Sequence, residues 1–289
     1  MQRVLVIGGD GVIGGALRQA LAHREIGCAW TSRRSEDPAA LRLDLEESPE
    51  RWPVLPEADA AFVCAGMTKL ADCEADPGRA RRVNVDQTAR LTQGLAERCG
   101  VVVNLSTSQV FDGSAPRLDD SAAPCPASRY GRVKADAEQA VQSACPQGLV
   151  VRLVKVFGPA PNLWSRWRGE LEAGRSIDAY DDLRIAPMRR RQVAELLLDA
   201  AAMRLNRTIG PVAHLTADRD ESYFHLARQL CVAMNIDPGQ VRRASAEADG
   251  IPAAHRPAHT ALGGSTMDAL GVARPDPFMA VLEAAGLDG

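Results

Sequence analysis

The chain begins with a short apolar run, residues 3–7, that leads into a glycine-rich turn and then into a helical pattern. Such a run is typical of a buried strand in a parallel sheet. Glycines between a strand and a helix let the backbone approach a pyrophosphate, which then lies at the helix N-terminus. Two spacings fit, Gly8-x-x-Gly11-x-x-Gly14 and the tighter Gly9-x-Gly11-x-x-Gly14. The turn predicts a dinucleotide site that includes Gly8, Gly11, Val12, Ile13 and Gly14.

Strand and helix patterns alternate along the rest of the chain. Apolar runs predict strands at 4–7, 28–31, 60–64, 101–105, 149–156 and 212–215. Helical patterns lie between them at about 14–23, 78–98, 129–143 and 189–204. This alternation is typical of an α/β fold with a doubly wound parallel sheet of the Rossmann type.

The chain is long enough for a smaller second domain beside the sheet. A turn-rich stretch at 158–162 is expected to leave the sheet domain. We therefore expect residues 1–160 to form a dinucleotide-binding domain, to which 186–218 return. Residues 161–185 and 219–289 are expected to form a substrate-binding domain, with the substrate between the two.

Composition excludes several classes of partner. A net charge of −3 gives no electrostatic reason to bind nucleic acid or an anionic membrane. The seven cysteines are odd in number and contain no CxxC pair, so we interpret them as reduced, and no metal site is predicted. His255 and His259 have helical metal-ligand spacing, but Pro257 between them favours a loop. No apolar run approaches 18 residues, and the first glycine comes too soon for a signal peptide, which favours the cytoplasm.

Tyr130 and Lys134 stand four residues apart in a segment with a helical pattern. Residues at i and i+4 share one face of a helix. A protonated Lys134 on that face would lower the pKa of Tyr130 from its ordinary value of about 10. The pair then predicts a phenol that donates a proton near neutral pH, as a carbonyl reductase requires.

The residues after the second predicted strand indicate which cofactor is used. NAD-binding sheets of this kind place an acid there to accept from the ribose 2′-hydroxyl, whereas an arginine accommodates the 2′-phosphate of NADP. This chain has Arg33 and Arg34 and no acid at the strand end. The sequence therefore favours NADP, with NAD as the alternative.

Taken in order, these motifs resemble the extended short-chain dehydrogenase/reductases, and within them the dTDP-4-dehydrorhamnose reductase-like group of sugar-nucleotide enzymes. The resemblance covers almost the whole chain. Beyond the glycine turn it rests on Ala65-Gly-Met-Thr68, Ser106-Thr-Ser-Gln-Val-Phe-Asp-Gly113, Tyr130-Gly-x-x-Lys134 and Val151-Arg-Leu-Val-Lys-Val-Phe-Gly158.

The resemblance implies a role for each matching residue. Tyr130 would protonate the oxygen of a keto sugar, Thr107 would hydrogen-bond that oxygen, and Lys134 would bind the nicotinamide ribose. Ala65 and Gly66 would contact the cofactor. Asp44, followed by Leu45, resembles the acidic contact to the adenine. A homodimer through two helices of the sheet domain is also implied.

The chain departs from the rhamnose enzymes where they face the sugar. Ser108 and Gln109 stand where those enzymes carry Asp-Tyr, and Lys155 stands where they carry tryptophan. The substrate is therefore expected to be a nucleotide sugar other than dTDP-4-dehydrorhamnose. Arg184 or Arg256 is expected to bind its diphosphate, because arginine is suited to bidentate phosphate contact.

Two other functions stay open at this point. An NAD-dependent sugar-nucleotide epimerase needs the same catalytic set, although the acid expected after the second strand is missing. A 4,6-dehydratase is disfavoured because Ser108-Gln109 cannot supply its Asp-Glu pair. A non-catalytic NADP-binding subunit is the other alternative, because the regulatory β subunit of methionine adenosyltransferase resembles the same reductases.

Overall fold

The computed structural model describes residues 1–34 and 36–288. The strands in these ranges are β1 Arg3–Ile7, β2 Gly27–Ser32, β3 Ala40–Arg42, β4 Ala58–Val63, β5 Cys99–Thr107, β6 Leu149–Leu153, β7 Ile177–Tyr180, β8 Arg184–Ile185, β9 Val212–Leu215, β10 Glu221–Ser222 and β11 Val241–Ala244. The α-helices are α1 Val12–His23, α2 Leu70–Ala75, α3 Pro77–Arg81, α4 Thr88–Ala96, α5 Arg129–Ala144, α6 Leu163–Glu172, α7 Arg190–Leu205, α8 Tyr223–Ala233, α9 Thr266–Ala269 and α10 Phe278–Ala285.

Seven strands form one sheet in the order β3-β2-β1-β4-β5-β6-β9. Every neighbouring pair in it is parallel. The helices α1 and α7 pack together on one face of the sheet, and α4 and α5 pack on the other. The predicted doubly wound parallel sheet is confirmed. Its strand order reverses between β1 and β4, where a sheet of this type binds its ligands outside the carboxyl ends of the strands.

The structure differs from the predicted elements in a few places. The short strand β3 at the sheet edge was not expected, and β6 ends at Leu153 rather than at residue 156. The helix expected at 78–98 is interrupted by a π-helical turn, Arg82–Gln87, which joins α3 to α4. Such turns widen a helix locally and are frequent at functional sites.

Close packing between β1 and α1 requires a glycine at position 14. A Cβ placed there would lie 2.1 Å from the carbonyl oxygen of Gly8. The helix therefore starts tightly against the turn, and Gly11 is its N-cap residue. The backbone around the turn stays accessible to a ligand at the helix N-terminus.

A second hydrophobic core lies outside the sheet. It packs α6, α8 and α10 together with β7 and β11, and an aromatic group of Phe157, Trp164, Trp167 and Tyr223 lies at its centre. Residues around Leu262 and Met267 pack on the sheet core. Gly289, the last residue of the expected substrate domain, lies outside the described residues. No helix in the described ranges is long and apolar enough to span a membrane.

A buried ion pair joins α5 to the sheet. Arg152 on β6 donates to both carboxylate oxygens of Glu138 on α5, at 2.8–3.2 Å. Ser106 on β5 donates to the same carboxylate. Arg152 also lies 3.4 Å from the ring of His214, whose other nitrogen is 3.0 Å from the carbonyl oxygen of Gly263. The carboxylate thus connects α5 with two neighbouring strands of the sheet.

We predict that Glu138→Ala destabilises the protein strongly, because it leaves the buried Arg152 charge unpaired. Removing one partner of a buried ion pair costs about 3–5 kcal/mol. The matched control is Asp136→Ala on the same helix, whose partner Arg81 and own side chain are both more than half exposed. That change should cost less than about 1 kcal/mol. Urea unfolding of both variants measures the difference, and equal losses would contradict the prediction.

Candidate active site

A cleft of about 460 Å³ opens at the carboxyl ends of the sheet strands. Its lining includes residues of the first turn of α1, of β5 and α5, and of the segments around Arg184, Tyr223 and His255, whereas Gly8, Gly11 and Gly14 are not among the lining residues. The predicted site residues found in it are Val12, Ile13, Ala65, Gly66, Thr107, Ser108, Gln109, Tyr130, Lys134, Lys155 and Arg184. Within residues 1–34 and 36–288, no cluster of three or more His, Cys, Asp or Glu side chains could hold a metal ion.

The start of α5 brings Tyr130 into this cleft. Ser128 caps the helix by accepting from the backbone N–H of Gly131 at 3.0 Å. A Cβ at position 131 would lie 2.1 Å from the carbonyl oxygen of Gln109, so only glycine permits this approach. The helix therefore begins directly against the turn that follows β5, which places the phenol near the end of that strand.

Thr107 ends β5 and also caps the short 3-10 turn Ser108–Val110. Its Oγ1 accepts from the backbone N–H of Gln109 at 3.2 Å. A hydroxyl has one donor and two acceptor sites, so its own O–H is still available to donate into the cleft. The side chain can therefore satisfy the backbone and hydrogen-bond a substrate oxygen at the same time.

Lys134 lies one helical turn after Tyr130 and is tied to the same strand. Its Nζ donates to the carbonyl oxygen of Leu105 at 2.7 Å. Glu138 follows after another turn and is bonded to Ser106. Two consecutive residues of β5 thus fix α5, immediately before Thr107.

Burial dominates the acid–base properties of this pair. Desolvation raises the pKa of Tyr130 above its ordinary value, and the neighbouring Cys73 adds to the shift. Burial also lowers the pKa of Lys134, against the opposing charge of Glu138. The expectation that Lys134 lowers the pKa of Tyr130 is wrong for this structure. The cost of burying a phenolate exceeds its attraction to an ammonium that is directed at Leu105.

The other end of the cleft fits a dinucleotide. Val12 and Ile13, in the first turn of α1, line it together with Ala65 and Gly66 after β4. A Cβ at Gly66 would lie 2.8 Å from Oδ1 of Asn84, so this backbone also leaves no room for a side chain. Bare backbone at a helix N-terminus is what a pyrophosphate requires.

Asn84 is a further polar residue of the cleft that sequence reasoning did not select for the site. It belongs to the π-helical turn, where its side-chain oxygen accepts from the backbone N–H of Met67 and its side-chain nitrogen donates to the Met67 carbonyl. The segment after β4 is therefore held against the helix. The signal available in the sequence was an amide placed between two apolar residues, Val83-Asn84-Val85.

Arg33 and Arg34 follow β2, outside the residues that line the cleft. Arg33 forms an ion pair with Glu46 at 3.2 Å. Glu46 is bound more closely by Arg79, whose hydrogen bonds lower the pKa of that carboxyl. Arg34 has no ion pair with any described residue. Of the two guanidiniums, that of Arg34 is therefore the one without a carboxylate partner among the described residues.

The structure brings an acid from another segment to the end of the second strand, where none follows directly in the sequence. Asp10, from the glycine turn, accepts a hydrogen bond from the hydroxyl of Ser32 at 2.8 Å. Ser32 is the last residue of β2. The acid comes from a different segment, so reading the residues after the strand could not find it.

Asp44 and Leu45 lie on the loop after β3. The carboxylate of Asp44 accepts from the backbone N–H of Glu46 at 2.9 Å, and its carbonyl oxygen accepts from the indole of Trp52. Leu45 is buried in the core on that face of the sheet. This turn is therefore rigid, and the adenine contact suggested for Asp44 stays a prediction.

Two cations, Lys155 and Arg184, line the cleft. The ammonium of Lys155 lies 5.9 Å from the ring centre of Phe157, and desolvation lowers the pKa of Lys155. Arg184 begins β8, beside the aromatic core. Neither forms an ion pair with any described residue. A cleft with unpaired cations favours an anionic or strongly polar ligand.

Arg256 is not part of the cleft lining. Its guanidinium lies 3.8 Å from Asp182 and 3.4 Å from Glu247, and it donates to the carbonyl oxygen of Ile251. These contacts hold the Arg256 guanidinium against Asp182 and against residues of its own loop. Of the two candidates for the diphosphate, the structure brings only Arg184 to the cleft.

Three further lining residues were not predicted to belong to the site. Tyr223 stacks on Trp164 at 5.7 Å, and burial raises its pKa to about 12. His255 ends the 3-10 turn Ala253–His255, and His259 follows it on the same C-terminal segment, 3.6 Å from Asp220. Only the folded chain brings these residues to the cleft.

The sequence matches the model of the RmlD substrate binding domain family over residues 1–285. The chain belongs to this family. It is 32% identical over 270 residues to a probable dTDP-4,6-dihydroxy-2-methyloxan-3-one 4-ketoreductase of Streptomyces antibioticus, covering 90% of this chain and 86% of that protein. A dTDP-4-keto-6-deoxy-D-glucose reductase of Streptomyces niveus is 31% identical over 204 residues, which are 69% of each chain.

The fold is shared with solved structures of low sequence identity. The crystal structure of dTDP-4-dehydrorhamnose reductase from Bacillus anthracis in complex with NADP superposes with a TM-score of 0.81 at 19% identity, over 98% of each chain. The likeness extends over both cores. The resemblance to the extended short-chain dehydrogenase/reductases, first inferred from motifs, is confirmed.

We predict that the phenol of Tyr130 in the free protein stays protonated at pH 10, the ordinary pKa of tyrosine, because burial disfavours the phenolate. Absorbance at 295 nm is followed from pH 7 to 11 for the unmodified protein and for Tyr130→Phe, with Tyr180→Phe as the control for loss of one phenol. Subtracting the Tyr130→Phe curve should reveal no phenolate up to pH 10. A transition centred below pH 10 would contradict the prediction.

Proposed function

We propose that this chain is an NADP(H)-dependent reductase of a nucleotide-linked 4-keto sugar. The broader class, an NAD(P)-dependent oxidoreductase, follows from the family and from the reductases among its relatives. The observation that carries the finer proposal is the meeting of Thr107, Tyr130 and Lys134 in one cleft. That cleft has a dinucleotide-type turn at one end and unpaired cations at the other.

The two hydrophobic cores can be assigned to two different ligands. We propose that the sheet binds the cofactor through the glycine turn and the backbone after β4. The second core, with Arg184 of β8 and Tyr223 at the start of α8, would then bind the substrate. The buried aromatic residues of the second core would support the residues that bind the substrate.

Each polar group has a defined task in the reaction. When bound, the reduced nicotinamide would supply hydride to the ketone carbon. Tyr130 would donate its proton to the ketone oxygen, and the Thr107 hydroxyl would donate a hydrogen bond to that oxygen. Lys134, whose Nζ donates to the carbonyl oxygen of Leu105, would hold the nicotinamide ribose and provide positive charge on the same helix face as the phenol. A phenol kept protonated by burial is ready to donate before the reaction begins.

The carboxylates of the cleft argue against water elimination. Among the described lining residues Asp112 is the only acid. Its carboxylate accepts from both the backbone N–H and the hydroxyl of Ser114, and these bonds lower the pKa of Asp112. A dehydratase would need a second carboxyl and one that can be protonated. Reduction of a ketone requires neither a second carboxyl group nor a protonated one.

Lys155 distinguishes this pocket from one built for a rhamnose precursor. Lys155 follows β6 by two residues, and Thr107 pairs with Leu153 at the end of that strand. We therefore place the sugar between the catalytic groups and the ammonium. We propose that the preferred sugar carries a polar or anionic substituent at the position where a 6-deoxy sugar has only a methyl group.

We predict that Tyr130→Phe lowers ketoreductase turnover by about 10²-fold or more, because only the proton donor is removed. NADPH oxidation is measured with a panel of nucleotide-linked 4-keto sugars, and the dissociation constant of NADPH is measured separately. Affinity for the cofactor should be kept. The control Tyr180→Phe should retain full turnover. Equal turnover in both variants would contradict the role of Tyr130 as the proton donor, and no turnover by the unmodified protein with any sugar of the panel would support a non-catalytic role.

We predict that dTDP-4-dehydrorhamnose is a poor substrate of the unmodified protein. A pocket with an unpaired polar group discriminates against ligands that cannot satisfy it. Lys155→Trp should raise kcat/KM for this sugar, whereas Lys155→Gln, which removes the charge without adding an indole, should raise it less. A kcat/KM for the unmodified protein within the ordinary range of roughly 10⁴–10⁸ M⁻¹s⁻¹ would contradict this prediction.

A further inference from the structure

The glycine turn carries an acid to the end of β2, the strand after which sheets of this type recognise the adenosine ribose of a dinucleotide. Asp10 lies between Gly9 and Gly11, and its Oδ2 accepts from the hydroxyl of Ser32 at 2.8 Å. The hydroxyl oxygen of Ser32 in turn accepts from the backbone N–H of Arg34 at 3.0 Å. One short network therefore links the turn, the end of β2 and the arginine segment.

The position of Asp10 is fixed by more than this one bond. The backbone N–H of Gly9 donates to the carbonyl oxygen of Thr31 at 2.8 Å, and that of Gly8 donates to the Thr31 hydroxyl at 3.1 Å. The turn and the strand end are thus held side by side. Asp10 is exposed to solvent, and its second carboxylate oxygen accepts no hydrogen bond from any protein group in the described ranges.

An acid and an arginine at this edge of the sheet have opposite effects on cofactor choice. A carboxylate accepts from the ribose 2′-hydroxyl of NAD, whereas an arginine accommodates the 2′-phosphate of NADP. Arg33 shares its charge with Glu46, which leaves Arg34 as the main attraction for the phosphate. The negative charge of Asp10 would oppose the binding of the 2′-phosphate by Arg34.

We propose that Asp10 is a specificity-determining residue for the cofactor. It accepts a hydrogen bond from the ribose 2′-hydroxyl and repels a 2′-phosphate, so it limits the preference for NADPH that Arg34 gives. The inference rests on the proposed use of a nicotinamide dinucleotide, and it does not depend on which sugar is reduced.

The test measures binding rather than turnover. Dissociation constants of NADPH and NADH are determined by calorimetry at fixed ionic strength for the unmodified protein, Asp10→Asn and Asp10→Ala. The asparagine keeps the shape and an acceptor for Ser32, so it removes the charge alone. Asp136→Asn, an exposed acid on α5 that pairs with Arg81, is the control for the change in net charge.

We expect Asp10→Asn to raise the ratio of the NADH to the NADPH dissociation constant by about tenfold, since one unpaired charge near a phosphate is of that order. Asp10→Ala should raise the ratio at least as much and should also weaken NADH binding. Asp136→Asn should leave the ratio unchanged.

Two results would overturn the inference, and they are distinguishable. An unchanged ratio in both Asp10 variants, with the two dissociation constants moving together or not at all, overturns the role of Asp10 alone. An unmodified protein that binds neither cofactor overturns the proposed function as well, and the inference with it.

Discussion

The geometry of the site depends on the carboxylate of Glu138, which links α5 to the sheet. It is buried, and its partners come from two neighbouring strands: Ser106 on β5 and Arg152 on β6. Lys134, one turn earlier on the same helix, reaches the carbonyl oxygen of Leu105. The helix that carries the phenol is therefore pinned to the strand that ends at Thr107. Buried, charge-assisted hydrogen bonds fix the relative positions of this helix and strand more closely than exposed surface contacts would.

The same burial that fixes the geometry also sets the chemistry. Enclosure of the phenol raises the pKa of Tyr130, and enclosure of the ammonium lowers the pKa of Lys134. Both effects follow from the cost of charge away from water. The phenol therefore rests as an acid, and two other side chains of the cleft, Lys155 and Arg184, keep their positive charges without protein counter-charges in the described chain. Proton donation and anion attraction thus fall to different residues of one cleft.

The sequence predicted what depends on local patterns. The parallel sheet, the glycine turn and the helix of Tyr130 and Lys134 follow from periodicity and spacing over short windows. Asp10 could not be placed, because its contact with Ser32 joins residues 22 positions apart. The pKa of Tyr130 was predicted in the wrong direction, because spacing along a helix reveals a neighbouring charge but not the depth of burial. Arg184 and Arg256 could not be distinguished until the fold showed that Asp182 and Glu247 engage the second.

The most direct test of the account follows the hydride itself. The protein is incubated with NADPH deuterated at C4 of the nicotinamide and with a nucleotide-linked 4-keto sugar, and the recovered sugar is analysed by mass spectrometry and NMR. The account predicts one deuterium on the new carbinol carbon, with one oxidised cofactor formed for each sugar reduced. A sugar returned without deuterium while the cofactor stays reduced would contradict it, and the chain would then be a binding protein built on a reductase fold.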